Sequence, residues 1–248
     1  MPKTAAPAIR PPALPSEINR KIGQALHDYK MIEAGDRLLL AVSGGIDSLV
    51  LAAVVSFWQR KAPIAFEIEA ITIDHGYWRR LGAGNPAIAI GEQLRPWGLA
   101  LRQETAWGEP GSAQSCFHCA RDRRSQLFAI ARDGGHTALC FGHHRDDLID
   151  TFFLNLLYGG NISTMKPKQI LFDGRLKLLR PLAYLSKDEV WAIGRLWNLR
   201  PLPNLCPHAE SSRRQTARQI VAAIEQFQPD TKRAVFAALK NVRADYLP

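Results

Sequence analysis

No run of eighteen apolar residues occurs anywhere in the 248-residue chain, so no membrane-spanning helix is expected. The N-terminus also lacks the apolar core of a secretory signal. Met1 to Pro15 is rich in Ala and Pro and is interrupted by Lys3 and Arg10. A cytoplasmic protein is the resulting expectation. Cysteine is scarce: the four are Cys116, Cys119, Cys140 and Cys206. In a reducing compartment, Cys116-x-x-Cys119 reads as metal or redox chemistry before it reads as a structural disulfide. Acidic side chains are the minority charge, 23 against 32 Lys and Arg, for a net charge of +9. That excess favours a polyanionic partner such as nucleic acid, although a soluble protein that is merely basic has the same balance. No internal repeat is visible. With 46% hydrophobic residues, the length suits one large α/β domain or two small ones.

Two familiar phosphate-binding patterns are missing as well. No Lys follows Gly45, which excludes the GxxxxGK[ST] loop, and GxGxxG does not occur there. Instead, Leu38 to Val42 is a short apolar run. Ser43-Gly44-Gly45-Ile46-Asp47-Ser48 follows it, and a second apolar run begins at Leu49. A buried parallel strand, a glycine turn and a helix start are the expected elements. Free N–H groups and the helix dipole then converge where an anion can sit. The bland alternative is a tight βα turn without a ligand. The hexapeptide resembles the SGGxDS signature of the PP-loop ATP pyrophosphatases. The resemblance implies that Ser43, Gly44, Gly45, Asp47 and Ser48 grip the pyrophosphate of ATP while a substrate is adenylated at the α-phosphate.

The prolines of residues 1–16 bar helix, so a flexible or extended arm is expected there, with Ser16 capping a helix over Glu17–Tyr29. Strands are expected over Asp36–Val42, Phe66–Ile73, Leu99–Thr105 and Thr137–Phe141. Asp74-His75-Gly76 and Gly142-His143-His144-Arg145-Asp146-Asp147 then fall at carboxyl ends of strands, where open α/β sheets bind ligands. Asp74 and His75 could line a nucleotide pocket or simply end a strand. The glycine at 142 would let a ligand approach the backbone, and the His, Arg and Asp residues after it suit triphosphate and Mg²⁺. Leu148–Tyr158 is almost wholly apolar and is expected to be buried. Leu171–Leu179 reads as a hairpin around Asp173-Gly174, followed by a helix from Lys187 to Trp197. Cys140, inside a strand, reads as an apolar filler.

Cysteines at i and i+3 lie on one face of a helical turn, so both sulfurs of the Cys116/Cys119 pair can reach one metal. A zinc knuckle, a redox dithiol and an iron–sulfur cluster all remain open on this evidence. Arg121, Arg123 and Arg124 would lower the thiol pKa values, grip phosphate, or form a solvated helix face.

Taken with Cys116-x-x-Cys119, Gly142 to Asp147, Tyr158-Gly159-Gly160 and Arg180-Pro181-Leu182-Ala183-Tyr184, the loop makes residues 20 to 245 resemble the TtcA family of tRNA 2-thiocytidine synthetases. The resemblance implies an α/β fold: a Rossmann-like doubly wound parallel sheet of the adenine nucleotide alpha hydrolase type, with a helical C-terminal extension. The expected division is an arm over 1–16, an ATP-binding domain over 17–200, and a cysteine loop with basic helices over 201–248. It also implies ATP, Mg²⁺ and a [4Fe-4S] cluster on Cys116, Cys119 and Cys206. Nucleotide contacts would come from the loop with Asp74, His75, Gly142, His143 and Asp147, and Mg²⁺ contacts from Asp47 and Asp146. The partners implied are tRNA and a sulfur donor such as a cysteine desulfurase system, and a homodimer is allowed for. Members of the family usually carry PCxxC near the C-terminal cysteine. Here Pro203 stands in place of its first cysteine, which leaves Cys206 alone. Asp74-His75-Gly76 is closer to the related lysidine synthetases. The competing functions are therefore a lysidine-synthetase-like ligase, a uridine thiolase, and a zinc-containing RNA-binding module without catalysis.

Overall fold

The computed structural model describes residues 11–107, 116–205 and 213–246, the side chains of Cys116, Phe117 and Ala244 excepted. In chain order the elements are α1 (Ser16–Asp28), β1 (Arg37–Ala41), α2 (Ile46–Gln59), β2 (Glu67–Asp74), α3 (Tyr77–Arg80), α4 (Pro86–Leu94) and β3 (Leu101–Thr105). They continue with α5 (Cys116–Asp133), β4 (Ala138–Cys140), α6 (Arg145–Gly159), β5 (Lys168–Leu171), β6 (Leu176–Leu179), α7 (Lys187–Leu196), α8 (Arg213–Phe227) and α9 (Thr231–Ala238).

Six strands form one sheet in the order β3-β2-β1-β4-β6-β5, parallel except for β5, which returns antiparallel on β6. The expected hairpin is therefore present, with left-handed backbone at Phe172, Asp173 and Gly174 in its turn. Alternate side chains serve opposite faces of the sheet. Leu38 and Leu40 join the core under α1, α2, α4 and α7, whereas Leu39 joins a second core with Leu127 and Ala131 of α5. The α/β layering expected from the sequence follows. From β1 the chain builds outward through β2 and β3, then crosses back to place β4 on the other side of β1. The crevice between β1 and β4 is thus the topological switch point, where open α/β sheets bind ligands.

At the amino ends of the strands the sheet is clamped. The Asp36 carboxylate, buried, accepts from Lys177 Nζ (2.6 Å), Thr137 Oγ1 (2.7 Å) and the Glu33 N–H (2.7 Å). This links the starts of β1, β4 and β6. Removing one partner of such a buried pair costs about 3–5 kcal/mol.

Three expectations need correcting. The arm expected over 1–16 is not free at its distal end: Leu14 is buried in the main core and the Pro12 carbonyl accepts from Trp197 Nε1 (3.0 Å). Ser16 does not cap α1, because the helix already includes it and Pro15 holds the cap position. The apolar helix expected over 148–158 is buried only at its start. Leu156, Leu157 and Tyr158 are exposed, because the elements packed on α6 cover Ile149 and Phe153 instead.

Candidate active site

The loop from Ser43 to Ser48 joins β1 to α2 at the switch point. Gly44 adopts φ +84°, a left-handed conformation that glycine takes without strain. Ser48 closes the loop from within. Its Oγ accepts from the Ser43 N–H (3.1 Å) and donates to the Gly45 carbonyl (2.8 Å). Asp47, in the first turn of α2, points outward, and both its oxygens accept from Lys187 Nζ (2.6 and 2.8 Å). Lys187 is the first residue of α7, which lies hard against α2 at Gly194: a Cβ there would come within 2.5 Å of Ile46 Cδ1.

The second loop, Gly142 to Asp147, joins β4 to α6. A Cβ on Gly142 would lie 2.6 Å from the Asp47 carbonyl oxygen. The space a side chain would take at this glycine is therefore filled by the α2 backbone, and the glycine lets the two loops touch. His144 is buried between the loops, with Nε2 3.3 Å from Asp147 Oδ2 and 3.7 Å from Asp47 Oδ1. Its Nδ1 is buried without a hydrogen-bond partner.

His143 Nδ1 accepts from Arg180 Nε (3.2 Å). Burial, reinforced by the Arg180 and Arg214 guanidinium groups against the pull of Asp147, pushes the His143 pKa down to about 4. The ring is neutral at pH 7, and with Nδ1 as acceptor its proton sits on Nε2. Arg180 is itself buried and also donates to the Lys166 carbonyl. Burial and the nearby Arg124 bring its pKa down to about 10. For Asp147, burial is outweighed by His144, His143, the His144 N–H and Arg214, so its carboxyl is held below the ordinary range. Asp150 moves the other way, raised by burial despite its bond from Arg218 Nε (2.5 Å).

The other sequence-predicted residues divide. Asp74 is buried and saturated, accepting from the Gly76 N–H (2.7 Å) and Gln103 Nε2 (3.2 Å) and pairing with Arg79 (3.3 Å). It shapes the turn at the end of β2. His75 stacks on Tyr77, and its buried Nε2 has no hydrogen-bond partner. Burial first and Arg123 second lower its pKa. Asp146 bonds the backbone of the same Lys187 whose ammonium holds Asp47. It caps α7 by accepting the Lys187 N–H (3.0 Å) and lines a separate cleft of about 250 Å³ with Asp188, Glu225 and Lys232. Among the described residues, no three His, Cys, Asp or Glu side chains converge as a metal site.

Of the cysteines, Cys140 is fully buried and its thiol pKa is raised by that burial, as expected of a filler. Cys116 and Cys119 both lie in the first turn of α5, with Cys119 half-buried. Cys206 lies outside the described residues. Gln126 of α5 donates to the Thr105 carbonyl (2.7 Å) and accepts from the Trp107 N–H (3.1 Å), which fastens this helix to the carboxyl end of β3. The proline-rich stretch before Cys206 is fixed to the loop from Ser43 to Ser48. The Leu202 N–H donates to the Gly44 carbonyl (2.9 Å), and Gln93 brackets Arg200 with two hydrogen bonds to its backbone (2.9 and 2.7 Å). Beyond residue 212, α8 returns to the site, where Arg218 bonds Asp147 as well as Asp150 and Arg214 reaches Thr151.

Sequence reasoning missed Lys187, Arg180, Arg214 and Arg218 as site residues. A signal existed for Lys187: Ser186-x-x-Glu189 is a capping box, realised here by bonds of 2.8 and 3.2 Å, and it fixes Lys187 at a helix start just after the last strand.

Comparison with known proteins agrees with this geometry. Residues 14–202 match the model of the PP-loop domain family. A protein of Pseudomonas paraeruginosa named tRNA-cytidine(32) 2-sulfurtransferase is 34% identical over 237 residues, covering 92% of this chain and 85% of its own. Its namesake in Azotobacter vinelandii is 35% identical over 242 residues, with 94% and 86% covered. The solved U34-tRNA thiolase NcsA from Methanococcus maripaludis, which holds a [4Fe-4S] cluster, superposes with a TM-score of 0.73 at 19% identity, covering 93% of this chain and 80% of that one, and so has the same fold. Carrying the Ser-Gly-Gly-x-Asp-Ser loop at the switch point of such a sheet, the chain belongs to the PP-loop family and, within it, to the group of the tRNA-cytidine(32) 2-sulfurtransferases.

Proposed function

We propose that this protein is an ATP-dependent tRNA thiolase that converts an anticodon-loop cytidine to 2-thiocytidine. The observation that carries the reading is the bond from Leu202 to Gly44, which fastens the stretch leading to Cys206 onto the ATP loop. The helix that carries Cys116 and Cys119 is fastened through Gln126 to the carboxyl end of β3, on the same side of the sheet as the loop. Both cysteine-bearing segments thus lead to the nucleotide site, which a ligase working without sulfur does not require. The two relatives' shared name supports cytidine over uridine.

Oxygen is a poor leaving group from a nucleobase carbonyl, so the C2 oxygen is first adenylated. It attacks the α-phosphate of ATP and pyrophosphate departs. The loop N–H groups, the α2 dipole and Ser43 hold that pyrophosphate. Arg180 keeps the His143 ring in the tautomer with its proton on Nε2. Asp47 would hold Mg²⁺ together with the nucleotide phosphates. Cys116, Cys119 and Cys206 would hold a [4Fe-4S] cluster by their thiolates, and it would supply sulfide drawn from a donor such as a cysteine desulfurase system. Thiolate chemistry fits this cysteine set. Sulfur then adds at C2, the C2–O bond breaks and AMP leaves. Arg123, Arg124, Arg214 and the exposed basic residues of α8 and α9 bind the tRNA backbone, and the target base is reached in a single-stranded loop where it can be unstacked. Residues 17–200 would supply the ATP half and 201–248 the third cluster ligand with the basic helices.

The test is the nucleoside profile of tRNA from a strain lacking its own thiolase and supplied with this chain. 2-Thiocytidine is expected with the wild type and absent with Asp47→Ala or Cys206→Ala. A thiouridine or lysidine in its place, or 2-thiocytidine made by either variant, overturns the reading.

A further inference from the structure

A carboxylate inside an anion-binding loop is a charge conflict. Asp47 stands one residue into α2, at the positive helix end that should receive phosphate, and would repel it. The structure meets that conflict chiefly with Lys187, whose Nζ lies 2.6 and 2.8 Å from the two carboxylate oxygens, while His144 Nε2 stands farther off at 3.7 Å. The pair is a poor stability device. The side chains are 38% and 33% exposed, and an ion pair so open to water shifts a folding equilibrium by no more than about fivefold.

Its backbone, by contrast, is held firmly. The Lys187 N–H is fixed by Asp146, the capping box locks the first turn of α7, and Lys21 braces Glu189 (2.7 Å). A rigid base thus carries a flexible four-carbon stem whose ammonium is bound weakly and within reach of the loop. No cage of three or more metal ligands forms among the described residues. A divalent cation here would be shared between Asp47 and the nucleotide phosphates, which is how Mg²⁺ is commonly held.

We propose that Lys187 is a phosphate ligand kept in reserve on Asp47. When Mg²⁺–ATP arrives, Asp47 exchanges the ammonium for the metal, and Nζ moves onto the departing pyrophosphate. The lysine therefore competes with the metal before binding and cooperates with the nucleotide after it. This rests on the reading of Ser43 to Ser48 as the ATP loop.

The two roles predict shifts of opposite sign in one variant. Lys187→Met should bind Mn²⁺ alone, read by its electron paramagnetic resonance signal, about threefold or more tighter than the wild type, because no ammonium has to be displaced. The same variant should bind ATP at saturating Mg²⁺, read by calorimetry without tRNA, about tenfold or more weaker, the loss expected of one charge-assisted hydrogen bond. Lys187→Arg should keep ATP affinity within about threefold. Lys187→Gln repeats both titrations should the Met variant lose its cooperative thermal transition. The proposal fails if either affinity is unchanged, or if both move in the same direction as a merely structural pair would make them. Failure of the wild type itself to bind Mg²⁺–ATP would instead overturn the assignment of the loop, and this proposal with it.

Discussion

Gly142→Ala is the sharpest single probe of the contact between the two loops. The added methyl would sit 2.6 Å from the Asp47 carbonyl oxygen, 2.7 Å from its carbonyl carbon and 3.0 Å from the Ser48 nitrogen. Ordinary contact begins near 3.4 Å, so the backbone must retreat by about 0.8 Å. All three atoms are main chain at the start of α2, and no rotamer change can relieve the clash. Nor does the backbone at Gly142 require glycine, since it is not among the positive-φ positions, so the effect is one of contact alone. Overpacking of this kind costs about 1–3 kcal/mol, which for a chain of this length is a fall in Tm of about 2–12 °C. The displaced element carries Asp47 and the loop amides, so binding of Mg²⁺–ATP should weaken along with the fold. Scanning calorimetry and an ATP titration measure the two effects. The reasoning is refuted if Gly142→Ala melts within 1 °C of the wild type and binds Mg²⁺–ATP within about twofold of it.

Asp36→Asn should lower Tm at pH 7 through loss of charge from the strand clamp. Because the folded Asp36 carboxyl lies below its ordinary value, the wild type's advantage should be complete above about pH 4 and vanish as the pH falls through the folded pKa; an advantage that grew in acid would contradict this. The depressed His143 works in the same sense, over a higher pH window. Between pH 6.5 and about 4 the unfolded chain takes up a proton that the folded chain refuses, so stability falls with pH there, and His143→Asn should flatten that slope in denaturant titrations. Nitrogen NMR should find the His143 ring neutral at pH 6. Anaerobic preparations should contain about four irons per chain, and Cys119→Ser should lose the brown colour; a variant retaining full iron would remove Cys119 from the cluster.

The parts of the molecule that were readable in the sequence are those whose physics is local. Ser43 to Ser48 declares its strand, turn and helix within a dozen residues, and Asp173-Gly174 declares its hairpin. What stayed hidden depends on contacts across the chain. Lys187 meets Asp47 over 140 positions and Arg218 meets Asp150 over 68, and no periodicity encodes either meeting. The glycine at 142 was visible, but its purpose was not, because only the tertiary fold brings the backbone of Asp47 against it. The exposed end of α6 is a failure of a different kind. An apolar pattern predicts that a face seeks cover, not that a neighbour supplies it over the helix's full length.

The bond between Leu202 and Gly44 gives the protein a built-in reporter. The Leu202 amide hydrogen is spent on a loop carbonyl, so it exchanges with solvent only when the loop opens. A ligand that braces the loop slows that opening, and the amide should retain its hydrogen for longer in heavy water by the factor by which the open form is depopulated. One proton at residue 202 would thereby time the nucleotide cycle from outside the nucleotide's own contacts, and would do so at the doorway to Cys206.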